Sequence, residues 1–496
     1  MIAAIPTPPI DWFALAPALV LLGVGGTCLL VAVLVPPQWR RPVAALTTAS
    51  GFVGAFVAAA LLYAKSADGQ PVIADVLRRD RLGALAALLV CAAGLLSVGV
   101  SYARHTREDH VAEYYGLLAA AGAGMVALGQ ANSLMTLFLS LEWFSLCLYV
   151  LCAIEVDLVG SLEAGLKYLI VGSFGSAILL FGSALVYGAT GELSFERIAA
   201  ATARQGLADD TLLLIGLAMI LAGLAFKASA APFHQWTPDV YEGSPTPVTA
   251  FMSAATKTVA LVLALRVLTT AFPQEDGLWT VAVAVIACAS LAIGNLAALV
   301  QRNVKRILAY SSVSHAGFML IAVAANNAIG GRALLYYLIP YCAASLGAFA
   351  VVAARERELG RPVELRDLAG MGWERPVLGV AMWTFMLSAA GFPLTGGFLG
   401  KLYVFSAAYR HGWTWLIVVG CVATAVSLYY YLGIVRAMYM RPSAELRLAP
   451  AGGQPPRELA LSSAVVACMT VTVGSFFAVQ GLIDLARDAI SGSLLL

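Results

Sequence analysis

The sequence predicts an all-α protein that crosses a membrane about fourteen times, and three observations carry that prediction. Of its 496 residues 60% are hydrophobic and 12% charged, with a mean hydropathy of +0.85. Soluble domains carry about 25% charged residues. A spanning helix takes about 20 residues, so fourteen of them would use roughly three fifths of a chain of this length, in step with its hydrophobic share. The longest polar intervals, 65–81, 190–208, 354–376 and 441–458, are all shorter than the ~50 residues a domain with its own core needs. An ordinary soluble enzyme and an inserted nucleotide-driven motor domain are therefore excluded. A net charge of +2 without any basic tract gives no sign of a nucleic-acid partner.

Apolar runs fall at 13–35, 43–64, 82–102, 113–129, 131–154, 162–189, 209–231, 246–271, 276–300, 306–325, 333–353, 377–410, 413–440 and 459–486. Each must be helical, because a backbone in lipid satisfies its own hydrogen bonds and no ten-residue alternation of a barrel strand occurs. The first run follows MIAAIPTPPIDW, which lacks the basic segment of a cleaved signal peptide, and reads as a permanent span. Residues 1–112 then hold spans one to three, 113–271 spans four to eight, 276–440 spans nine to thirteen, and 459–496 the C-terminal span. The eight cysteines (28, 91, 147, 152, 288, 342, 421 and 468) all lie inside apolar runs and form no CxxC pair. A disulfide or metal framework is not expected from them.

Alternate loops hold Lys and Arg unequally, 16 in one set (40–41, 104–107, 302–306, 355–375, 436–457) and 9 in the other (65–81, 197–204, 332, 410, 487). The richer side should be cytoplasmic, which puts both termini outside.

Charges near span centres are the informative residues: Glu142 in LFLSLEWFSLCLYVL, Lys227 in AGLAFKASAAPF, Lys257 in SAATKTVALVL and Lys401 in GGFLGKLYVF. Each costs about 2.5–3.5 kcal/mol on insertion scales, so the four together cost roughly 10–14 kcal/mol before any pairing. Ion pairs that fix helix register would be the plainer use, but one acid leaves lysines over. A buried lysine releases its proton readily, which suits a reversible carrier. Lys167 lies nearer a span end, four residues after Glu163, and can reach the surface.

Proline and glycine interrupt two of these spans, in AAPFHQWTPDVYEGSPTP after Lys227 and in SAAGFPLTGGFLG before Lys401. Broken helices at matching places in two halves point to an ion path. A step of 174 residues leads from Lys227 to Lys401, from Lys257 to Tyr431 and from Lys167 to Tyr341, and a step of 173 from Glu142 to His315. Five spans separate each pair, an odd shift that reads as an inverted five-helix repeat. His315 follows Ser311 and Ser312 on one helix face, fit for a hydrated proton path, while His234 at the first break suits freed backbone groups. Gly396 to Lys401 only mimics a phosphate loop, since Leu402 stands where Ser or Thr belongs.

The stretches LEWFSLCLYVL (141–151), EAGLKYLIVGS (163–173), GLAFKASAAPFHQWTPDVYEGSPTPVTAF (223–251), GNLAALVQRNVKRILAYSSVSHAGF (294–318) and FMLSAAGFPLTGGFLGKLYVF (385–405) resemble the antiporter-like membrane subunits of respiratory complex I and of Mrp-type sodium/proton antiporters. The WTPDVYEG run, where Mrp proteins carry a WLPDA variant, favours the complex I side. The resemblance covers about residues 113–440 and departs at Cys147, where the family has proline.

It implies a proton-translocating subunit of an NADH-quinone oxidoreductase, driven by quinone reduction elsewhere and embedded in a bacterial inner membrane beside other membrane subunits. FMN, iron–sulfur clusters and quinone would belong to those other subunits, with no cofactor in this chain. By motif position Glu142, Lys167, Lys227, Lys257 and Lys401 match the family's proton-transfer residues, with His315, His234 and Tyr431 secondary. An Mrp-type antiporter subunit is the alternative.

Overall fold

The computed structural model describes residues 9–66, 69–102, 110–440 and 458–491. Both termini, and the basic residues at 104, 107, 441, 447 and 457, lie outside these. An N-terminal group of three helices comes first, α1 (Trp12–Leu34), α2 (Pro37–Lys65) and α3 (Arg81–Ser101). A short antiparallel hairpin, β1 (Gln70–Ile73) and β2 (Leu77–Arg79), links the last two. The first half follows with α4 (Val111–Gly129), α5 (Leu134–Cys152), α6 (Val159–Thr190), α7 (Phe195–Gln205), α8 (Thr211–Lys227), α9 (Trp236–Gly243) and α10 (Thr246–Ala271). The second half holds α11 (Asp276–Leu299), α12 (Val304–Ala324), α13 (Ala328–Leu359), α14 (Met371–Glu374), α15 (Pro376–Ala390), α16 (Gly396–Arg410) and α17 (Thr414–Met440). Two helices come last, α18 (Leu459–Phe477) and α19 (Val479–Ser491).

Every apolar run falls on helix. Among the described residues, twelve helical segments are long and apolar enough to cross a membrane, and α8 and α15 are apolar but shorter. The run 209–231 stops at Lys227 because the chain turns away through Ala228–Gln235, where Pro232 supplies no N–H. The run 377–410 divides at Gly391, whose φ of +81° ends α15 in a left-handed cap. The run 459–486 is not one helix either: α18 gives way at Ala478 to α19, an amphipathic helix packed on α3 and α13. Side-chain caps start several helices, with Ser133 on α5, Asp210 on α8 and Asn303 on α12 each accepting backbone N–H groups.

Large apolar residues of α6 such as Leu166, Ile170, Phe174 and Phe181 are exposed, a stripe fit for lipid or a neighbouring subunit. α10 is the opposite case, with all 26 of its residues buried among α3, α4, α12 and α13. At its start Thr246 meets Lys305 of α12 and Glu356 of α13, and the loops before α12 and after α13 are tied by Val304 N–H to the Val363 carbonyl (3.0 Å) and Leu365 N–H to the Arg302 carbonyl (2.8 Å). Its other end meets Asp80, at the close of the hairpin segment.

Candidate functional site: a line of buried lysines

Lys227 is the last residue of α8, where the unsatisfied carbonyl end of a helix favours a cation. The side chain is buried, and its ammonium donates to Ser145 Oγ at 2.8 Å. Ring faces surround it: Phe144 and Phe226 at 5.6 Å, Tyr149 and Tyr168 at 5.9 Å. Such faces are worth about 0.5–2 kcal/mol each, which offsets part of the several kcal/mol a buried ion costs. Glu142 lies one turn before Ser145 on α5, within Coulombic range of Lys227 but not in an ion pair with it. Its Oε1 is buried without a hydrogen-bond partner in the chain. A carboxylate so placed can bias the lysine's charge without locking it.

Lys257, in the middle of α10, is fully buried, and its ammonium donates to the Ser312 carbonyl on α12. One turn on along α12, His315 bridges two phenols, Tyr337 through Nδ1 (2.9 Å) and Tyr431 through Nε2 (3.0 Å). Tyr431 also bonds Ser311, and the Tyr341 hydroxyl donates to Ser312 Oγ at 3.2 Å. Tyr337 was not singled out by the sequence reading; it is a phenol in an apolar run, and only its neighbour across the helices gives it meaning.

Lys401 reaches back from α16 to the end of α15, donating to the carbonyls of Ala389 (2.9 Å) and Ala390 (3.2 Å) beneath the Phe318 ring at 4.6 Å. Those carbonyls lack helical partners because α15 stops there. Glycines make the approach possible: a Cβ on Gly397 would sit 2.0 Å from the Ser388 carbonyl, and one on Gly391 3.0 Å from Lys401 Cδ.

A cavity lies beside the partners of the last two lysines. Its lining includes Ser311, Ser312, His315, Tyr337, Tyr341, Tyr431, Ser388, Ala389 and Gly397, together with apolar residues such as Leu308, Phe385 and Met386. About 30 Å³ of it is open to the centres of water molecules, where one water needs roughly 10–15 Å³. It therefore touches both the residue that holds Lys257 and a carbonyl that holds Lys401.

Two expected residues are not on this line. Lys167 leaves 43% of its side chain exposed and pairs with Glu163 (2.6 Å) and Asp239 (2.9 Å). Asp239 and Glu242 in turn hold Arg306 at 2.7 and 2.8 Å. Burial pushes the Asp239 carboxyl up, but Lys167 and Arg306 outweigh it and hold the group below the usual carboxylate range. His234 lies in the first break with its Nδ1 buried and unpartnered, 6.3 Å from the Tyr310 ring.

Two other charged contacts were not anticipated. Arg266, near the far end of α10, clamps Asp80 with two bonds of 2.7 and 2.9 Å, and both side chains are almost wholly buried. Lys305, read from the sequence as a loop charge, is buried in the first turn of α12 against Glu356. A cation at a helix N-terminus is disfavoured by the dipole, and that misplacement is the signal the sequence did offer.

A family model described as the transmembrane region of NADH:quinone oxidoreductase and Mrp antiporters matches residues 131–427. The chain is 40% identical to the NADH-quinone oxidoreductase subunit N of Trichlorobacter lovleyi, over 86% of this chain and 88% of that one. It is 37% identical to the subunit N of Chloroflexus aggregans, over 94% and 95%. Among solved structures it is similar to a chain of respiratory complex I from Thermus thermophilus, with 34% identity, a TM-score of 0.79 and coverage of 95% and 99%. A chain of the Mrp complex from Dietzia sp. matches with a TM-score of 0.83 over 96% and 97%, but at 23% identity that likeness is one of fold alone.

Proposed function

We propose a proton route through this chain, which belongs to the NADH:quinone oxidoreductase/Mrp antiporter transmembrane family and, within it, to the subunit N members. It is a multi-pass membrane subunit of a proton-translocating NADH-quinone oxidoreductase. The sodium/proton antiporter alternative is less supported: it shares the family model and the fold, at 23% identity to the Mrp chain.

Protons pass along Lys227, Lys257 and Lys401, with Glu142 as the tuning charge and His315 and Tyr431 in the passage between the last two lysines. The observation that carries this reading is that three buried ammonium groups have only neutral partners, a hydroxyl and backbone carbonyls. A fixed carboxylate partner would hold each proton in place; neutral partners stabilise the ammonium and still allow it to discharge. The charge of Glu142 favours the ammonium form of Lys227. A conformational change that withdraws that charge lets Lys227 pass a proton toward Lys257, from which the cavity beside Ser312, His315 and Tyr431 leads toward Lys401.

The halves 113–271 and 276–440 act as inverted repeats, with 1–112 and 459–496 outside them. The basic-rich loops face the cytoplasm of a bacterial inner membrane, the termini face outward, and Lys401 discharges to that side. FMN, iron–sulfur clusters and quinone reside in other subunits, whose redox chemistry supplies the free energy. Lys167 acts in the surface ion network, and His234 supports the broken helix.

The test is proton pumping by membrane vesicles driven by NADH, normalised to assembled complex, in Lys227→Ala, Lys257→Ala and Lys401→Ala. Each should pump far less than wild type at normal assembly. Unchanged pumping in Lys227→Ala would refute the relay.

A further inference from the structure

We propose that Glu356, held by Lys305, is the carboxylate through which protons leave the basic-rich face and reach Lys257. The inference rests on the relay proposed above and adds an uptake site to it, a second supply to Lys257 beside the one from Lys227.

Four residues of α10, Thr246, Thr249, Ser253 and Lys257, are spaced by three and four and so share one helix face. All four are buried, with Thr249, Ser253 and Lys257 at zero exposure. Thr249 Oγ1 donates to the Tyr241 carbonyl (3.2 Å) and Ser253 Oγ to the Ala250 carbonyl (2.9 Å), and the stripe of hydroxyl oxygens they share with Thr246 ends on Lys257. At the start of the stripe Thr246 Oγ1 donates to Glu356. Lys305 binds the same place from α12, donating to Thr246 Oγ1 (3.2 Å) and the Ser244 carbonyl (3.1 Å), with Glu356 at 3.3 Å.

Lys305 keeps 5% of its side chain exposed and Glu356 20%. The cluster is thus a buried cation and hydroxyl behind a carboxylate that still touches solvent. Further in, Ser345 Oγ donates to Ser253 Oγ at 2.9 Å, and Ser345 also lines the cavity shared by Ser312 and His315. A proton taken from water by the Glu356 carboxylate passes to Thr246. Each hydroxyl or bridging water accepts one proton on one side and gives up one on the other, so none changes its proton count, and the net result is one proton delivered to the amine of Lys257. Having passed its proton on, Glu356 is a carboxylate again, held in place by Lys305 and Thr246.

The experiment measures NADH-driven pumping per NADH oxidised by the assembled complex in vesicles, in Glu356→Gln, Glu356→Asp, the double variant Ser253→Ala/Ser345→Ala, and Lys257→Ala. Glu356→Gln and the double variant should each pump clearly less than wild type but more than Lys257→Ala, which blocks both supplies, while Glu356→Asp keeps more than Glu356→Gln. The double variant leaves the Glu356–Lys305 contact untouched, so its loss separates a path from a staple. Wild-type pumping in Glu356→Gln beside a defective Lys257→Ala would overturn the uptake site and leave the relay standing. Wild-type pumping in Lys257→Ala as well would overturn the relay. Loss of assembly in Glu356→Gln with normal pumping in the double variant would make the contact a structural staple and overturn the proposal.

Discussion

Lys227 and Lys401 stand 174 residues apart, and the same step carries Phe144 to Phe318, the ring that faces each of them. Both ammonium groups lie at the carbonyl end of a broken helix, yet they arrive there differently. Lys227 ends its own helix and finds one hydroxyl. Lys401 comes from the helix beyond the break and takes two carbonyls of the helix before it. The charge one turn from the first site is Glu142, whereas its counterpart in the second half is His315, spent on two tyrosines. One lysine therefore sits where an external charge can tune it and the other where fixed dipoles hold it. In the proposed relay this difference goes with response at Lys227 and discharge at Lys401.

The strongest way to break this comparison is to remove the responsive member. Lys227→Ala should lower NADH-driven pumping tenfold or more, and residual pumping equal to wild type would leave the first half no special part.

Glu142 sharpens it next. If charge is what matters there, Glu142→Gln should damage pumping as much as Glu142→Ala, and Glu142→Asp should keep more, because Coulomb attraction weakens but survives the longer gap. His315→Gln, which can still hydrogen-bond, should retain more than half of wild-type pumping. A packing role for Glu142 gives the reverse order, with Gln tolerated and Asp poor.

Gly391→Ala probes the dipole-held lysine. The left-handed φ costs about 1–2 kcal/mol for an L side chain, and the new Cβ crowds Lys401 Cδ. A few-fold loss of pumping is expected from vesicles of that variant, less than from Lys227→Ala.

The smallest effect concerns Asp239, which belongs to neither lysine. Its folded carboxyl sits below the ordinary value of 3.8, so its contribution is complete at neutral pH and is lost as the pH falls through the folded value. Half-exposed pairs of this kind are worth about 0–1 kcal/mol. The melting temperature of Asp239→Asn should lie a degree or two below wild type at pH 7, and the gap should begin to narrow as the pH drops to about 4.

The helices were legible because lipid imposes a simple rule: apolar runs mark where backbone must bond to itself, and the breaks at Pro232 and Gly391 are written in the residues that cause them. Glu142, Lys227, Lys257 and Lys401 were legible for the converse reason, as expensive residues in cheap surroundings. What could not be read was company across helices. Nothing along the chain joins Tyr337 to His315, or tells that Lys305 turns inward while Lys167 turns outward, since both lie near span ends. The run 459–486 misled because the apolar face of α19 has the same composition as a span, and its amphipathic spacing begins only after Ala478.

The clamp between Asp80 and Arg266 has a consequence for how the chain is made. Its partners are 186 residues apart, and at synthesis rates of about 5–20 residues per second the acid waits roughly 10–40 s for its base. During that interval Asp80 has the Gly83 amide, at 2.8 Å, and Arg78, at 3.9 Å, from its own segment. α10, carrying both Lys257 and Arg266, is meanwhile a poor candidate to leave the insertion machinery by itself, since each charge costs about 2.5–3.5 kcal/mol at a helix centre. Asp80 is thus made long before its base, and the clamp can close only once α10 with Arg266 has been made and brought beside α3.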